Sequence, residues 1–235
     1  MDRCTCCARH GRLCIDNVPI FHDMDPEEKE SIMNASVHRK YKKGESIFMA
    51  GDSFDSLFVV NSGSVKIYKI SAMGREQILR ILEPGGFMGE LSMFSNTVMN
   101  NNAEALENSE ICIINGRTVK ELLLRKPEMA IKFLQSYTRR IEESEELIEQ
   151  IGLRDVEQRI ANYLLLEIDK NPDADKNKEI TLTLPVSKKD LASLIGTSQE
   201  TLSRKLSVFQ EEGIIRLSGQ RKIIVLDADA LKLMK

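Results

Sequence analysis

The chain has 235 residues, 42% of them hydrophobic and 29% charged, with a formal net charge of −3. That length fits two domains, or one domain with appendages, and the apolar content is enough for a buried core. No apolar run approaches the ~18 residues of a membrane helix and Met1-Asp2-Arg3-Cys4 is not a signal peptide, so no membrane partner is expected; the expected compartment is the cytoplasm, where thiols stay reduced.

Residues 1–20 form a cysteine-rich arm holding Cys4, Cys6, Cys7 and Cys14. It has too few apolar residues to fold alone, and Arg3, Arg9 and Arg12 favour thiolates. In a reducing compartment such clustering points to metal or redox chemistry before structural disulfides. Four thiolates suit an iron-sulfur cluster or zinc. Zinc on Cys4, Cys7, His10 and Cys14 would leave the fifth cysteine, Cys112, as a buried core residue. A thiol-disulfide switch is a third option.

Residues 21–125 carry the expected sensor domain. Asp25-Pro26-Glu27-Glu28 has a cap, a proline at the first helical position and acids in the first turn, which predicts a helix to about Ala35. Short apolar runs follow at 46–49, 56–60, 64–70, 77–82 and 110–114, punctuated by glycines, which predicts a β-sandwich or β-roll. Arg117 to Arg125 reads as a short helix ending before Pro127.

Residues 126–153 read as one long helix. Ala130, Leu134, Tyr137, Ile141, Ser144, Ile148 and Ile151 alternate steps of four and three, the seam of a two-stranded coiled coil with one polar seat at Ser144. Glu142, Glu143, Glu145, Glu146 and Glu149 flank it, so a homodimer is expected. Gly152 is expected to end this helix and Asp155 to cap the next, with Val156, Ile160, Tyr163 and Leu164 apolar; 169–178 reads as a surface loop.

Within residues 154–235 the organising stretch is Ser187 to Phe209. Ser187 with Asp190, and Thr197 with Glu200, are cap signals on either side of Gly196. Leu191, Ala192 and Ile195 form one apolar face before the glycine; Leu202, Leu206 and Phe209 form another after it. This predicts a helix-turn-helix whose second helix reads the DNA major groove with Glu200, Ser203 and Arg204; Ser198, Thr201 and Lys205 complete the expected contact set. Two strand candidates around Ser218-Gly219-Gln220 make a wing, and 227–235 reads as a closing helix. From 187 to 222, Lys188, Lys189, Arg204, Lys205, Arg216, Arg221 and Lys222 outnumber Asp190, Glu200, Glu211 and Glu212, a local balance that suits a phosphate backbone. An enzyme is not expected: His10, His22 and His38 have no nucleophile motif near them, and no glycine loop cradles phosphate.

The order β-roll, long dimerisation helix, winged helix-turn-helix, an α+β architecture, resembles the CRP/FNR family of bacterial transcription regulators over residues ~20–235. Gly51-Asp52, Gly63 and Pro84-Gly85 through Gly89-Glu90-Leu91 look like the turns of its cyclic-nucleotide-binding-like jelly roll. Glu200-Thr201-Leu202-Ser203-Arg204 is similar to the Glu-x-x-Ser-Arg reading motif of the FNR branch. Cys4-x2-Cys7-x6-Cys14 and Cys112, in Ala105-Leu106-Glu107-Asn108-Ser109-Glu110-Ile111-Cys112, resemble that branch's four ligands to an oxygen-labile [4Fe-4S] cluster, with one extra residue before Cys14 and Cys6 surplus. The resemblance implies inverted-repeat DNA with TTGAT-like half-sites and RNA polymerase as a partner. The cluster is expected to control dimerisation, because it would pin the arm to the roll beside a seam weakened by Ser144 and its flanking glutamates. The family's nucleotide pocket pairs Gly-Glu-Leu with an Arg-Ser pair; here Asn100-Asn101-Asn102-Ala103 stands at that place, so cyclic AMP is not expected to bind.

Overall fold

The computed structural model describes residues 15–16, 18–22, 24–95, 97–170 and 179–234; Cys4, Cys6, Cys7, His10 and Cys14, and most of the loop expected over 169–178, lie outside them. The chain divides into two units, one of residues up to Lys69 with Leu79–Ile141, the other of Ile70–Ile78 with Glu142–Lys235. Among the described residues no helix is long and apolar enough to cross a membrane.

The first unit starts with a 3-10 turn at Pro19–Phe21 and helix α1 (Pro26–Asn34), where the Asp25 amide donates to Glu28 Oε2 at 3.2 Å. Strands β1 (Ser36–Tyr41), β2 (Ser46–Phe48), β3 (Ser56–Ser62), β4 (Val65–Ile70), β5 (Glu76–Leu82) and β6 (Phe87–Met88) follow. Helix α2 (Glu90–Ser95), strands β7 (Asn102–Ala105) and β8 (Ser109–Asn115), helix α3 (Gly116–Arg125) and the long α4 (Pro127–Leu153) complete the order. The strands form two four-stranded sheets, β1-β8-β3-β6 and β2-β7-β4-β5.

Side-chain alternation along β3 and β8 builds two cores. Phe58, Val60 and Ile111 face the second sheet and pack with Phe48, Val65 and Ile67. Leu57, Val59, Cys112 and Ile114 face the other way, into a core closed by Ile15, Val18, Ile20 and Phe21 from the N-terminal segment and by Met129 and Phe133 from α4.

The five apolar runs of the sequence fall on β2, β3, β4, β5 and β8, whereas β1, β6, β7 and α2 were not anticipated. β1 is an edge strand reading Ser-Val-His-Arg-Lys-Tyr, with Tyr41 alone fully buried, so its charges hide it. Charged side chains are what edge strands carry to resist stray pairing. β7, Asn-Ala-Glu-Ala, has poor strand formers and is pinned by Asn102, whose Oδ1 accepts from the Ala50 amide at 2.9 Å and whose Nδ2 donates to Tyr68 O at 3.4 Å.

The second unit holds α5 (Val156–Asp169), β9 (Ile180–Thr183), α6 (Lys188–Leu194), α7 (Gln199–Glu211), β10 (Ile215–Ser218), β11 (Lys222–Val225) and α8 (Ala228–Leu233), with an antiparallel sheet ordered β10-β11-β9. Its core is built on Ile160, Leu164, Leu191, Leu202, Leu206 and Phe209, all buried. Gly152 does not stop α4, which runs on to Leu153. The break comes from Asp155, which caps α5 by exchanging hydrogen bonds with Gln158 at 2.9 and 3.1 Å. A helical glycine costs ~1 kcal/mol against alanine, which a 27-residue helix tolerates.

The Gly89 backbone is at φ +92°, and a Cβ there would lie 2.5 Å from Ser56 O and 2.8 Å from the Phe58 ring. Gly89→Ala should therefore lower unfolding free energy by about 1–3 kcal/mol. Urea denaturation checks this; an unchanged midpoint would contradict the crowding described.

Candidate functional site

The exposed polar face of the second unit is built by one turn. Ser187 Oγ accepts from the Asp190 amide at 3.1 Å and starts α6. Gly196, at φ +73°, takes the left-handed conformation that reverses the chain. The Thr197 amide then donates back to Ala192 O at 2.9 Å. The expected box of Thr197 with Glu200 is not what caps α7: Thr197 is spent on the turn, and Ser198 Oγ accepts from the Thr201 amide at 3.0 Å. Capping by Ser198 leaves Glu200 on the surface.

Residues 75–78, in the same unit, hold this turn from behind. Ser193 Oγ accepts from the Ile78 amide at 2.9 Å and donates to Glu76 O at 3.0 Å. Gln77 Nε2 and Arg75 Nη2 donate to Leu194 O and Gly196 O, each at 3.4 Å. Sequence reasoning missed Ser193, because a serine on a helix carries no signal for a partner 115 residues away.

On α7, Leu202, Leu206 and Phe209 are buried, while Glu200, Ser203 and Arg204 stand exposed on the opposite side. Thr201 is half-buried beside the cap, and Lys205 lies on the flank with Nζ 2.5 Å from Glu157 Oε1. The β10–β11 hairpin turns at Gly219, φ +71°, and shows Arg221 and Lys222 to solvent. Arg216 is engaged by Glu179 at 2.6 Å. A supported helix with an acceptor, a hydroxyl and a guanidinium outward, next to a cationic hairpin, can place base-edge contacts in a major groove and phosphate contacts beside it.

In the first unit, the β6–α2 turn holds a buried carboxylate. Glu90 Oε1 meets Arg140 Nη1 at 2.5 Å and Arg80 Nη2 at 3.4 Å. Arg140 also donates to Phe87 O at 2.9 Å and lies over the Phe87 ring at 4.0 Å. Among the described residues Glu90 Oε2 is buried without a hydrogen-bond partner, beside a cavity of about 20 Å³ lined by Ser92, Asn100 and Asn101. That space holds about one water. Burial, with the Glu90 carboxylate beside it, pushes the Tyr137 phenol well above its ordinary range, so it stays protonated.

Cys112 is fully buried, between His38 of β1 and Val59 of β3 in register. Ile15, the residue after Cys14, is fully buried in the same core. Cys4, Cys7 and Cys14 are outside the described residues, among which no group of three His, Cys, Asp or Glu side chains could hold a metal. Along α4, Leu134, Ile141, Ser144, Ile148 and Ile151 are exposed, Leu134 by 67% and Ile148 by 71%. Tyr137 is half-buried and packs instead on the core that holds Cys112.

Comparison with known proteins agrees with this architecture. Residues 38–126 match the cyclic nucleotide-binding domain and residues 158–234 the Crp-like helix-turn-helix domain. The chain is similar to the cyclic AMP receptor protein of Thermus thermophilus, 30% identical over 214 residues covering 91% of this chain and 95% of that one. It is also similar to the transcriptional activator protein FnrA of Stutzerimonas stutzeri, 27% identical over 97% of this chain and 90% of that one. The solved structure of FixK2 from Bradyrhizobium japonicum shares the fold, with a TM-score of 0.72 at 24% identity over 85% of this chain and 97% of that one. The roll, the long helix, the helix-turn-helix and these likenesses lead to one conclusion: the chain belongs to the CRP/FNR family of DNA-binding transcription regulators, and it is not an enzyme.

Proposed function

We propose that this regulator senses oxygen or redox state through a [4Fe-4S] cluster held by Cys4, Cys7, Cys14 and Cys112, and that it binds TTGAT-like inverted repeats as a homodimer. The observation that carries the reading is the burial of Ile15 in the core that seats Cys112. The chain next to Cys14 is thereby committed to the side of the roll where β8 directs its thiol. Cys112 lies on a central strand, fixed on both flanks, so its Sγ direction is set by the sheet. When bound, the cluster supplies a reversible, oxygen-labile tie between arm and roll. The cysteines themselves provide thiolates, and the arginines of the arm stabilise them.

The homodimer is supported by the exposed strip Leu134, Ile141 and Ile148 on α4. Two-fold pairing presents two reading helices to two half-sites. RNA polymerase would be contacted from the DNA-bound dimer. Zinc on Cys4, Cys7, His10 and Cys14 remains the competing chemistry, favoured by His10 in the arm, and it makes no use of Cys112.

Anaerobic purification with iron, sulfide and zinc analysis separates these. The cluster reading expects about four irons per chain and a brown chromophore, both lost in Cys112→Ser; zinc at stoichiometry, unchanged in Cys112→Ser, would overturn it. For DNA, Arg204 is assigned to guanine O6 and N7 and Glu200 to a cytosine amino group. Arg204→Ala should cost roughly 1–3 kcal/mol and relax preference at the guanine. A gel-shift titration in which Arg204→Ala binds the inverted repeat as tightly as wild type would remove the assignment.

A further inference from the structure

We propose that Ser193 is a positioning residue for DNA reading: its two hydrogen bonds to residues 76–78 set the angle of α7, on which Glu200, Ser203 and Arg204 stand. The inference rests on α7 being the reading helix. Residues 70–78 group with the second unit. β5 is the last strand of its sheet, so one of its edges has no strand beside it. An open edge presents unpaired N–H and C=O groups. Here the Ile78 amide donates to Ser193 Oγ at 2.9 Å, and Ser193 Oγ donates to Glu76 O at 3.0 Å, so one hydroxyl stands where a ladder rung would be. Ile78 is fully buried and Ser193 is 8% exposed. Removing the hydroxyl would leave the Ile78 amide without a partner and away from water.

The turn carries this seat to the reading face. Gln77 Nε2 donates to Leu194 O and Arg75 Nη2 to Gly196 O, one on each side of Ile195. A Cβ on Gly196 would lie 3.3 Å from the Ile151 side chain and 3.5 Å from Gln77 Oε1, so the turn rests closely on both and has little room to slide. Ser198 then caps α7, and Glu200 lies in its first turn. Contacts to base edges need hydrogen-bond geometry, whereas the attraction to phosphates is long-ranged and tolerates displacement. A loosened seat therefore lowers affinity for the specific site more than affinity for any duplex.

The test uses the full chain, purified without oxygen, and two probes: the duplex that wild type itself selects from a random-sequence pool, and an unselected random duplex. Gel-shift titration gives the ratio of the two affinities, and thermal melts report stability. Ser193→Ala is expected to lower that ratio about tenfold or more, the scale of leaving one buried amide unsatisfied, while affinity for the random duplex stays within about twofold of wild type. A role in packing alone would lower the melting temperature and move both affinities together. A Ser193→Ala protein whose ratio stays within about twofold of wild type overturns the proposal. If Ser193→Ala does not fold, Gln77→Ala takes its place with an expected loss of about threefold or more, and an unchanged ratio again overturns it. Arg204→Ala, measured alongside, isolates the underlying reading. If it leaves the ratio unchanged, or if wild type selects no sequence, α7 is not the reading helix and the proposal falls with that assignment.

Discussion

Strand β8 sets most of what this regulator can do, because it is central in its sheet and buried on both faces. Ile111 faces the second sheet, and Cys112 and Ile114 face the helices. A one-residue slip would exchange these faces, so the register that packs the roll also fixes the direction of the Cys112 thiol. The N-terminal segment then closes over that thiol with Ile15, Val18, Ile20 and Phe21, each buried. At about 1.5–3 kcal/mol per side chain, an upper bound, this burial anchors the segment without any cofactor. On the function proposed above, the cysteines would have only to hold what lies before Ile15.

The long helix is tied to the roll by a different device. Arg140 reaches from α4 into the β6–α2 turn and meets Glu90 with both charges largely out of water. A buried ion pair of this kind is weak evidence for stability, since desolvation offsets most of the Coulomb attraction, but losing one partner strands the other at a cost of several kcal/mol. The geometry is thus strongly specified: α4 sits where Arg140 can reach Glu90 and Phe87 O together. In this structure the chain's own guanidinium occupies the carboxylate of Gly89-Glu90-Leu91, and the space left beside it is about one water in size. Within the first unit, the start of α4 is thus tied to the roll through residues of this chain alone.

Much of this was legible in the residues. Valine- and isoleucine-rich strands, and Asp25-Pro26 and Asp155 as helix starts, follow local rules, and each appears in the structure; the four-three steps fall on the single helix α4. Failures came where tertiary context decides. β1 was hidden by its edge charges and β7 by its alanines. Thr197 and Ser198 are adjacent hydroxyls, and only the bond of the Thr197 amide to Ala192 O settles which one caps. Gly152 has the chemistry of a helix stop, but the helix accepts it for one more residue, and a Cβ placed there would meet no other group within 4 Å among the described residues. The Glu90–Arg140 pair spans 50 residues and the Ser193 bridge to Ile78 115, so neither leaves a periodic trace. Tyr137 kept the spacing of a seam residue while its ring turned partly into the roll.

The central claim is that the thiols of the arm, through Cys112, govern whether two copies stay paired. The most direct measurement is sedimentation equilibrium on one anaerobic sample, before and after exposure to air, with iron content followed in parallel. The account predicts a dimer that gives way to monomer as iron is lost, because the seam with its Ser144 seat and glutamate flanks is marginal and a few kcal/mol moves the population. An unchanged dimer after complete loss of iron would contradict it.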